Sequence, residues 1–275
     1  MRVLVTGSKG FIGRNLVNYI ENNTDWQVDT YDWLDGNMPS IMEQDWVIHI
    51  GGSSYTTERD IDKILTQNYD FTRQLFNACK TYGVNLQYSS SASVYGFSNT
   101  FVETDQLDPK TPYAWSKLLC ERYHTKHQGG NIVQGFRYFN VYGNHEGHKG
   151  GQASPVTQFR QQAELTGSIK LFHESDKYLR DFVAVEDICR VHVNFINKVT
   201  TSGIWNVGTG QVKSFQQIAN LISSQYNVPI KYIEMPEILK SSYQKYTCAN
   251  LSKLEDAIGV QRWITVEEWL DKYKL

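Results

Sequence analysis

The run Arg2-Val3-Leu4-Val5-Thr6 reads as a short strand, and the glycine-rich turn after it constrains the fold more than any other stretch. Thr6-Gly7-Ser8-Lys9-Gly10-Phe11-Ile12-Gly13 leads directly into residues whose apolar members, Leu16, Val17 and Ile20, recur at helical spacing until Asn22-Asn23. The order is strand, glycine-rich turn, helix. Glycines at such a turn let the backbone approach a pyrophosphate, whose charge then sits at the helix N-terminus. A second strand, Gln27 to Tyr31, ends at Asp32, 19 residues after Gly13. A carboxylate there is placed to accept hydrogen bonds from the ribose hydroxyls of an adenosine. A glycine triplet alone is weak. Between a first strand and a helix, with an acid closing the second strand, it points to a dinucleotide site.

A second constellation lies further on: Ser89-Ser90-Ser91-Ala92-Ser93-Val94-Tyr95-Gly96, then Tyr113-Ala114-Trp115-Ser116-Lys117. A phenol and an ammonium four residues apart share one helix face. A cation beside a tyrosine stabilises the phenolate and draws its pKa toward working pH, which suits a general base. A serine hydroxyl from the end of the preceding strand, Ser91, can complete a proton relay. Tyr-x-x-x-Lys by itself usually marks a solvated helix face; its meaning here comes from the glycine turn upstream.

The remaining chain alternates strands and helices. Trp46 to Ile50 is an apolar strand running into Gly51-Gly52, residues 59–82 read as a helix with Ile61, Ile64, Leu65, Leu75 and Phe76 inward, and Leu86-Gln87-Tyr88 delivers Ser91. The tyrosine–lysine helix spans Pro112 to Lys126, with proline in its first turn, and Asn131 to Arg137 is the next strand. This alternation predicts an α/β fold: a Rossmann-like, doubly wound parallel sheet with right-handed crossovers. After Gly143 a loop rich in Gly and His runs from Asn144 to Ser154. Helical patterns come next at 152–166, 186–198, 214–226 and 265–273, with strands near 169–172, 204–207 and 230–233. We expect residues 1–143, with strand segments near 181–210, to form the dinucleotide-binding domain. Residues 144–275 should form mainly a small C-terminal α/β substrate lobe over a cleft.

Composition excludes several function classes. With 27 basic and 29 acidic residues well mixed and a net charge of −2, nucleic acid is not an expected partner. No apolar run is long enough for a membrane span, and the N-terminus reads as a strand rather than a signal, so a cytoplasmic location is expected. Cys79, Cys120, Cys189 and Cys248 are scattered and read as reduced packing residues. No metal is expected: His145 and His148 flank Glu146, but His-Glu-Gly-His is one residue short of the spacing that puts two imidazoles on one helix face.

The glycine turn, the serine-rich strand end and Tyr113-x-x-x-Lys117 together resemble the extended short-chain dehydrogenase/reductase superfamily, which includes the nucleotide-sugar epimerases and dehydratases. A narrower similarity appears in Gly135-Phe136-Arg137-Tyr138-Phe139-Asn140-Val141-Tyr142-Gly143, in His145-Glu146-Gly147-His148-Lys149-Gly150, in Arg180-Asp181-Phe182-Val183 and in residues 203–210. These resemble the ADP-L-glycero-D-manno-heptose 6-epimerases. The resemblance implies one tightly bound NADP or NAD, contacted by Gly7, Lys9, Gly10, Phe11, Ile12, Gly13, Asp32, Gly51, Asn68, Tyr113, Lys117 and Phe139. It implies Ser91, Tyr113, Lys117 and Lys149 as catalytic residues, Lys149 being the second acid/base. Contacts to a nucleotide-diphosphate sugar would come from Thr56, Ser91, Asn140, His148, Arg180 and Tyr243. A homodimer or higher homo-oligomer is a further expectation, paired through helices such as 59–82 and 112–126.

Between Asp32 and Trp46 only 13 residues intervene, where the superfamily usually has a strand, a helix and a loop contacting adenine. A sheet missing a strand on that side is therefore expected. Asp32 opposes a 2′-phosphate, whereas Lys9 and Arg14 can supply cation contacts, which leaves NAD and NADP both open. Two other readings stand beside the epimerase: a GDP-L-fucose synthase-like epimerase-reductase, disfavoured because Ala92 and Ser93 replace the cysteine that family carries, and a nucleotide-binding regulator without catalysis.

Overall fold

Alternation along the first strands builds the two faces of a sheet. In β1 (Arg2–Thr6), Val3 and Val5 pack under Leu16 and Ile20 of α1 (Phe11–Asn23), while Leu4 faces the other way. In β3 (Trp46–His49), Trp46 and Ile48 join Val3 and Val5, and Val47 joins Leu4. The computed structural model describes residues 1–33, 35, 38, 40–56, 58–237 and 244–273. Among these, the central sheet has six parallel strands in the order β2 (Gln27–Tyr31), β1, β3, β4 (Asn85–Ser91), β5 (Val133–Tyr138), β9 (Gly203–Val207). Helices cover both faces, as a parallel sheet requires. Helices α1 and α6 (Val185–Lys198) lie on one face, and α3 (Phe71–Tyr82) and α4 (Pro112–Lys126) on the other. Among the described residues β2 is an edge strand paired only with β1, in keeping with the expected missing strand.

The helix expected over 59–82 is three segments: α2 (Ile61–Ile64), a π-helical stretch (Leu65–Asp70) and α3. Ile64, Leu75 and Phe76 are buried as expected, but Leu65 is only partly buried and Ile61 is 55% exposed. A π segment holds an extra residue per turn, so it rotates the preceding turn relative to α3 and carries Ile61 out to solvent. Helix α4 has the expected bounds because Thr111 caps it, accepting from Ala114 N at 3.2 Å, with Pro112 at its first position. Helix α5 (Pro155–Thr166) starts later than the pattern suggested, capped by Ser154, because residues 147–152 form a 3₁₀ turn.

The rest of the chain forms a second layer. A small sheet pairs β8 (Leu179–Ala184) with β6 (Asn140–Tyr142), β10 (Val212–Ser214) and β12 (Tyr246–Thr247), and β7 (Ile169–Phe172) pairs β11 (Ile230–Ile233). Its core is Tyr142, Phe159, Leu171, Phe182, Ile218 and Trp269, from α5, α7 (Phe215–Tyr226), the helix Val266–Lys272 and these strands. Two placements respect no boundary in residue number. Strand β6, before residue 143, lies in this layer, whereas α6, β9 and the helix Ser252–Ile258 pack with the central sheet.

Candidate active site

The glycine turn is held by backbone bonds from Gly7 N to Tyr31 O (2.8 Å) and from Gly10 N to Gly7 O (3.0 Å). Gly7 has φ +77°, and a Cβ on it would lie 2.5 Å from Gly51 Cα; a Cβ on Gly13 would lie 2.0 Å from Gly7 O. No larger residue fits either place. The turn opens on a cavity of about 370 Å³ lined by Gly7, Gly10, Phe11, Ile12, Gly13, Asp32, Gly51, Ser53, His148 and Lys149, among others. A cradle of bare backbone at a helix N-terminus, with a carboxylate at its far end, fits a dinucleotide. Ser53 Oγ, on its wall, is buried with no partner among the described residues.

At the Asp32 end, Asp32 Oδ2 accepts from Lys9 N at 3.2 Å, and Asp35 accepts from Asp32 N (2.7 Å) and from the Lys9 ammonium. Arg14 Nε donates to Lys9 O at 2.8 Å. Of the two cations considered for a 2′-phosphate, Lys9 is thus paired with Asp35, whereas Arg14 is held through a backbone carbonyl. Tyr31, Trp33 and Phe71 line this end, with the Trp33 ring edge-on to Phe71 at 5.5 Å. They form an aromatic wall at this end of the cavity.

Ser91, at the end of β4, is brought beside Tyr113. Ser91 Oγ accepts from Ser93 N at 3.2 Å and from Ser93 Oγ at 3.0 Å. Burial raises the Tyr113 phenol above its ordinary pKa, and the neighbouring Ser91 hydroxyl pulls it back. The buried Lys117 ammonium donates to Ser89 O (3.1 Å) and Ser89 Oγ (3.2 Å) and is itself pushed down by desolvation. The expected lowering of the Tyr113 pKa is not what the protein alone provides, because desolvation of the phenol outweighs what surrounds it. Ser91, Tyr113 and Lys117 are thus gathered at the C-terminal end of β4.

Lys149 reaches that cavity from the turn 147–152. Its ammonium is 5.4 Å from the Phe11 ring centre and 3.8 Å from Glu146 Oε1. Burial lowers its pKa, and Glu146 opposes the shift. Glu146 is buried and accepts from Ser154 N (2.7 Å), Ser154 Oγ (2.7 Å) and Thr157 Oγ1 (2.6 Å), which closes the loop onto the start of α5. His148 Nδ1 meets His145 O at 2.9 Å, and Thr56 Oγ1 meets Gln152 Oε1 at 3.3 Å across the cleft.

The other expected contacts are placed variously. Asn140 is half-buried on β6 and makes no side-chain hydrogen bond among the described residues. The Phe139 ring is buried with Tyr95, Phe101 and Leu118. Asn68 is buried, with its amide bonded to Ser53 and Ser116. Arg180 is buried over the Phe215 ring and donates to Leu179 O and Gln244 O, so neither Asp181 nor Asp187 is its partner in a helix-end salt bridge. Tyr243 lies outside the described residues. Two buried features escaped the sequence reading because only tertiary contact reveals them. Arg137 and Glu121 pair at 2.8 Å behind β4, with Ser90 Oγ donating to the same carboxylate at 2.6 Å. Asp181 accepts from Thr209 N, Thr209 Oγ1, Gly210 N and Ala249 N at 2.7–3.0 Å.

Against known proteins, the sequence profile described as the NAD dependent epimerase/dehydratase family matches residues 3–208, three quarters of the chain and the whole central sheet. The chain belongs to that family. Like this epimerase/dehydratase chain, a protein of Alkalilimnicola ehrlichii named ADP-L-glycero-D-manno-heptose-6-epimerase is 34% identical over 93% of the chain and 91% of its own length. A protein of the same name from Brachyspira hyodysenteriae is 33% identical over 98% and 96%. The crystal structure of the Helicobacter pylori ADP-L-glycero-D-manno-heptose-6-epimerase superposes with a TM-score of 0.88 at 26% identity, covering 99% of this chain and 94% of that one. The structure of RMD from Pseudomonas aeruginosa, complexed with NADPH, superposes at 0.81 with 25% identity, covering 98% and 96%. The cofactor implied by the family is thus the nicotinamide dinucleotide for which the glycine cradle is shaped. No helix among the described residues is long and apolar enough to cross a membrane.

Proposed function

We propose that this chain is a nucleotide-sugar epimerase that inverts the sixth carbon of an ADP-linked glycero-manno-heptose. The observation that carries the reading is the partial burial of Lys149 near Phe11, on the wall of the dinucleotide cavity, on a chain that also holds Ser91 and Tyr113 together at a strand end. Epimerisation through a carbonyl needs two proton handlers, because the departing and returning hydrogens occupy opposite faces. Bound in the cavity, the dinucleotide supplies reversible hydride acceptance and return at the sugar carbon.

The residues divide the remaining work. Gly7, Gly10 and Gly13 admit the pyrophosphate, and Asp32 takes the ribose hydroxyls. Tyr113 Oη takes the carbinol proton while Ser91 Oγ holds the reacting oxygen. Lys117, anchored on Ser89, keeps a buried positive charge on the phenol's side of the site and favours its ionised form. Lys149, with its pKa lowered by burial, exchanges the proton on the second face. Asn140, His148, Thr56 and Tyr243 are assigned to the sugar nucleotide, and Arg180 to holding the Gln244 segment beside it. In this reading the central sheet with α6 and β9 is the dinucleotide domain, the second layer covers the substrate, and the enzyme is cytoplasmic. The four unpaired cysteines, three of them buried, support that location.

The test is turnover of the ADP-linked heptose, followed by proton NMR of the sixth carbon, for the wild type, Tyr113→Phe and Lys149→Met. Each variant should lose epimerisation by about 10²- to 10⁴-fold while still binding the dinucleotide. Near-normal turnover by Lys149→Met overturns the two-handler mechanism, and inert wild type with this sugar overturns the substrate.

A further inference from the structure

Helix α1 carries Phe11 and Asn15 one turn apart, so the two side chains share a face. The Phe11 ring is buried, with the Lys149 ammonium 5.4 Å from its centre. Asn15 is half-buried, and its Nδ2 donates to Phe11 O at 2.9 Å and to Asn144 O at 2.8 Å. Both acceptors are carbonyls, so the amide has one orientation and both its hydrogens are used. Asn144 lies 129 residues away in sequence, at the start of the loop that carries Lys149. The helix that closes the glycine turn therefore meets this loop at two points, Asn144 and Lys149.

Between those points the backbone is held in an uncommon shape. His145 has φ +65°, a left-handed value that few non-glycine residues take. Such a residue persists where its neighbours over-determine it. Here they are Asn144, bonded to Asn15, and Glu146, buried and bonded to Ser154 and Thr157. Lys149 N donates to Glu146 O at 3.0 Å, so the lysine follows wherever this pair of anchors puts the turn. Without the Asn144 anchor, His145 can relax to negative φ and the turn can lift from Phe11. The charged groups around the ammonium are Glu146 on its own turn, at 3.8 Å, and on the cavity wall Asp32, His148 and Lys63, the last paired with Glu58. Tyr31 and Tyr55 line that wall too. The first two turns of α1 add Arg14, whose Nε bonds Lys9 O, and the first turn of α5, Pro155 to Gln158, adds no titratable group. Desolvation outweighs Glu146 at Lys149, so loosening the turn raises the pKa of the ammonium.

We propose that Asn15 is a positioning residue for Lys149: its bond to Asn144 O fixes the loop 144–152 on α1 and so sets the ammonium on the wall of the dinucleotide cavity. This rests on reading Lys149 as the second proton handler. The test therefore includes a readout independent of the sugar: titration of Lys149 in the dinucleotide-free protein by ¹³C-lysine NMR, assigned with Lys149→Met.

Asn15→Leu keeps the size and branching of the side chain and removes both donors; Asn15→Ala removes them with less bulk. Leucine and alanine are both better helix formers than asparagine, so α1 persists in either variant. The Lys149 titration should move to higher pH in both, and the limb of the kcat–pH profile that reports Lys149 should move with it. We expect kcat to fall about tenfold, while NAD affinity by fluorescence quenching stays within about twofold of wild type, because the glycine turn keeps its own bonds. On a Lys149→Met background, Asn15→Ala should cost no further residual turnover, since it acts through that lysine. A further tenfold loss there marks a general structural role and overturns the proposal. An unshifted Lys149 titration and rate limb in either folded variant also overturn it. Weaker NAD binding with an unshifted lysine does the same, and assigns Asn15 to the glycine turn instead. A shifted lysine in a protein inert toward the heptose supports the positioning role and refutes only the substrate.

Discussion

The Lys117 ammonium stands 5.9 Å from the centre of the Tyr113 ring, yet its hydrogen bonds run to Ser89 O and Oγ. The two side chains share a helix face as their spacing requires, but the cation is anchored on β4 rather than on the phenol. Lys117→Met should therefore do two things: leave the Ser89 acceptors buried without that donor, and remove a buried positive charge beside the Tyr113 ring. We expect kcat to fall by about 10²-fold or more, with its pH optimum moved upward, and a loss of stability of about 1–3 kcal/mol by urea unfolding. A pH profile superimposable on wild type would show that Lys117 does not influence the phenol.

Glu146 holds the Lys149 turn through three hydrogen bonds to Ser154 and Thr157. Its charge also raises the Lys149 pKa against burial. Glu146→Gln keeps the shape but removes that charge, so the limb of the pH–rate profile that reports Lys149 should move to lower pH. Glu146→Ala should also free the turn and lower kcat by about tenfold or more. Steady-state kinetics across pH separate the two effects.

Acid should destabilise this protein early, for a reason located in its core. Burial holds His49 and His192 at about 3 and His124 at about 4, so they stay neutral in the folded chain. Unfolded, each takes up a proton near 6.5, so their contribution is complete above that pH and is lost as pH falls toward the folded values. Asp187, raised to about 6 by burial, binds a proton when folded and acts in the opposite sense over 3.8 to 6; Asp181, also raised by burial, acts in that same opposite sense. The net uptake on unfolding should be roughly one to two protons between about pH 4.5 and 6, with stability rising with pH. Urea midpoints measured over that window should give this slope, and His124→Gln should reduce it by about one proton.

We expect the adenosine end to prefer NAD to NADP. Asp32 and Asp35 place two carboxylates there, and the Lys9 ammonium is already taken by Asp35. A 2′-phosphate would meet that repulsion with Lys9 already paired and Arg14 held through its Nε by Lys9 O. Titration by tryptophan quenching should show tighter binding of NAD than of NADP, and Asp35→Asn, by releasing Lys9, should narrow the difference. Equal affinities in the wild type would refute this assignment.

Much of the architecture was legible because it depends on local rules. Strand, glycine turn and helix at residues 2–23 follow from β-branched residues, positive-φ glycine and helical periodicity, each acting within a few residues. The bounds of α4 follow from Thr111 and Pro112. Ile61 was misread because an apolar pattern carries no mark of the π turn that rotates it outward. Asn68 carries no sequence signal of its clamp, since its partners lie 15 and 48 residues away.

The chain by itself determined which chemistry is present: the glycine cradle, the acid after β2, the serine, tyrosine and two lysines. Tertiary structure alone decided how those groups are tuned and joined. Desolvation depends on every neighbour that excludes water, and hydrogen-bond partners distant in sequence meet only when strands and helices pack. That is why the direction of the Tyr113 shift, the Glu146 staple and the bonds from Asn68 to Ser53 and Ser116 could not be read from spacing.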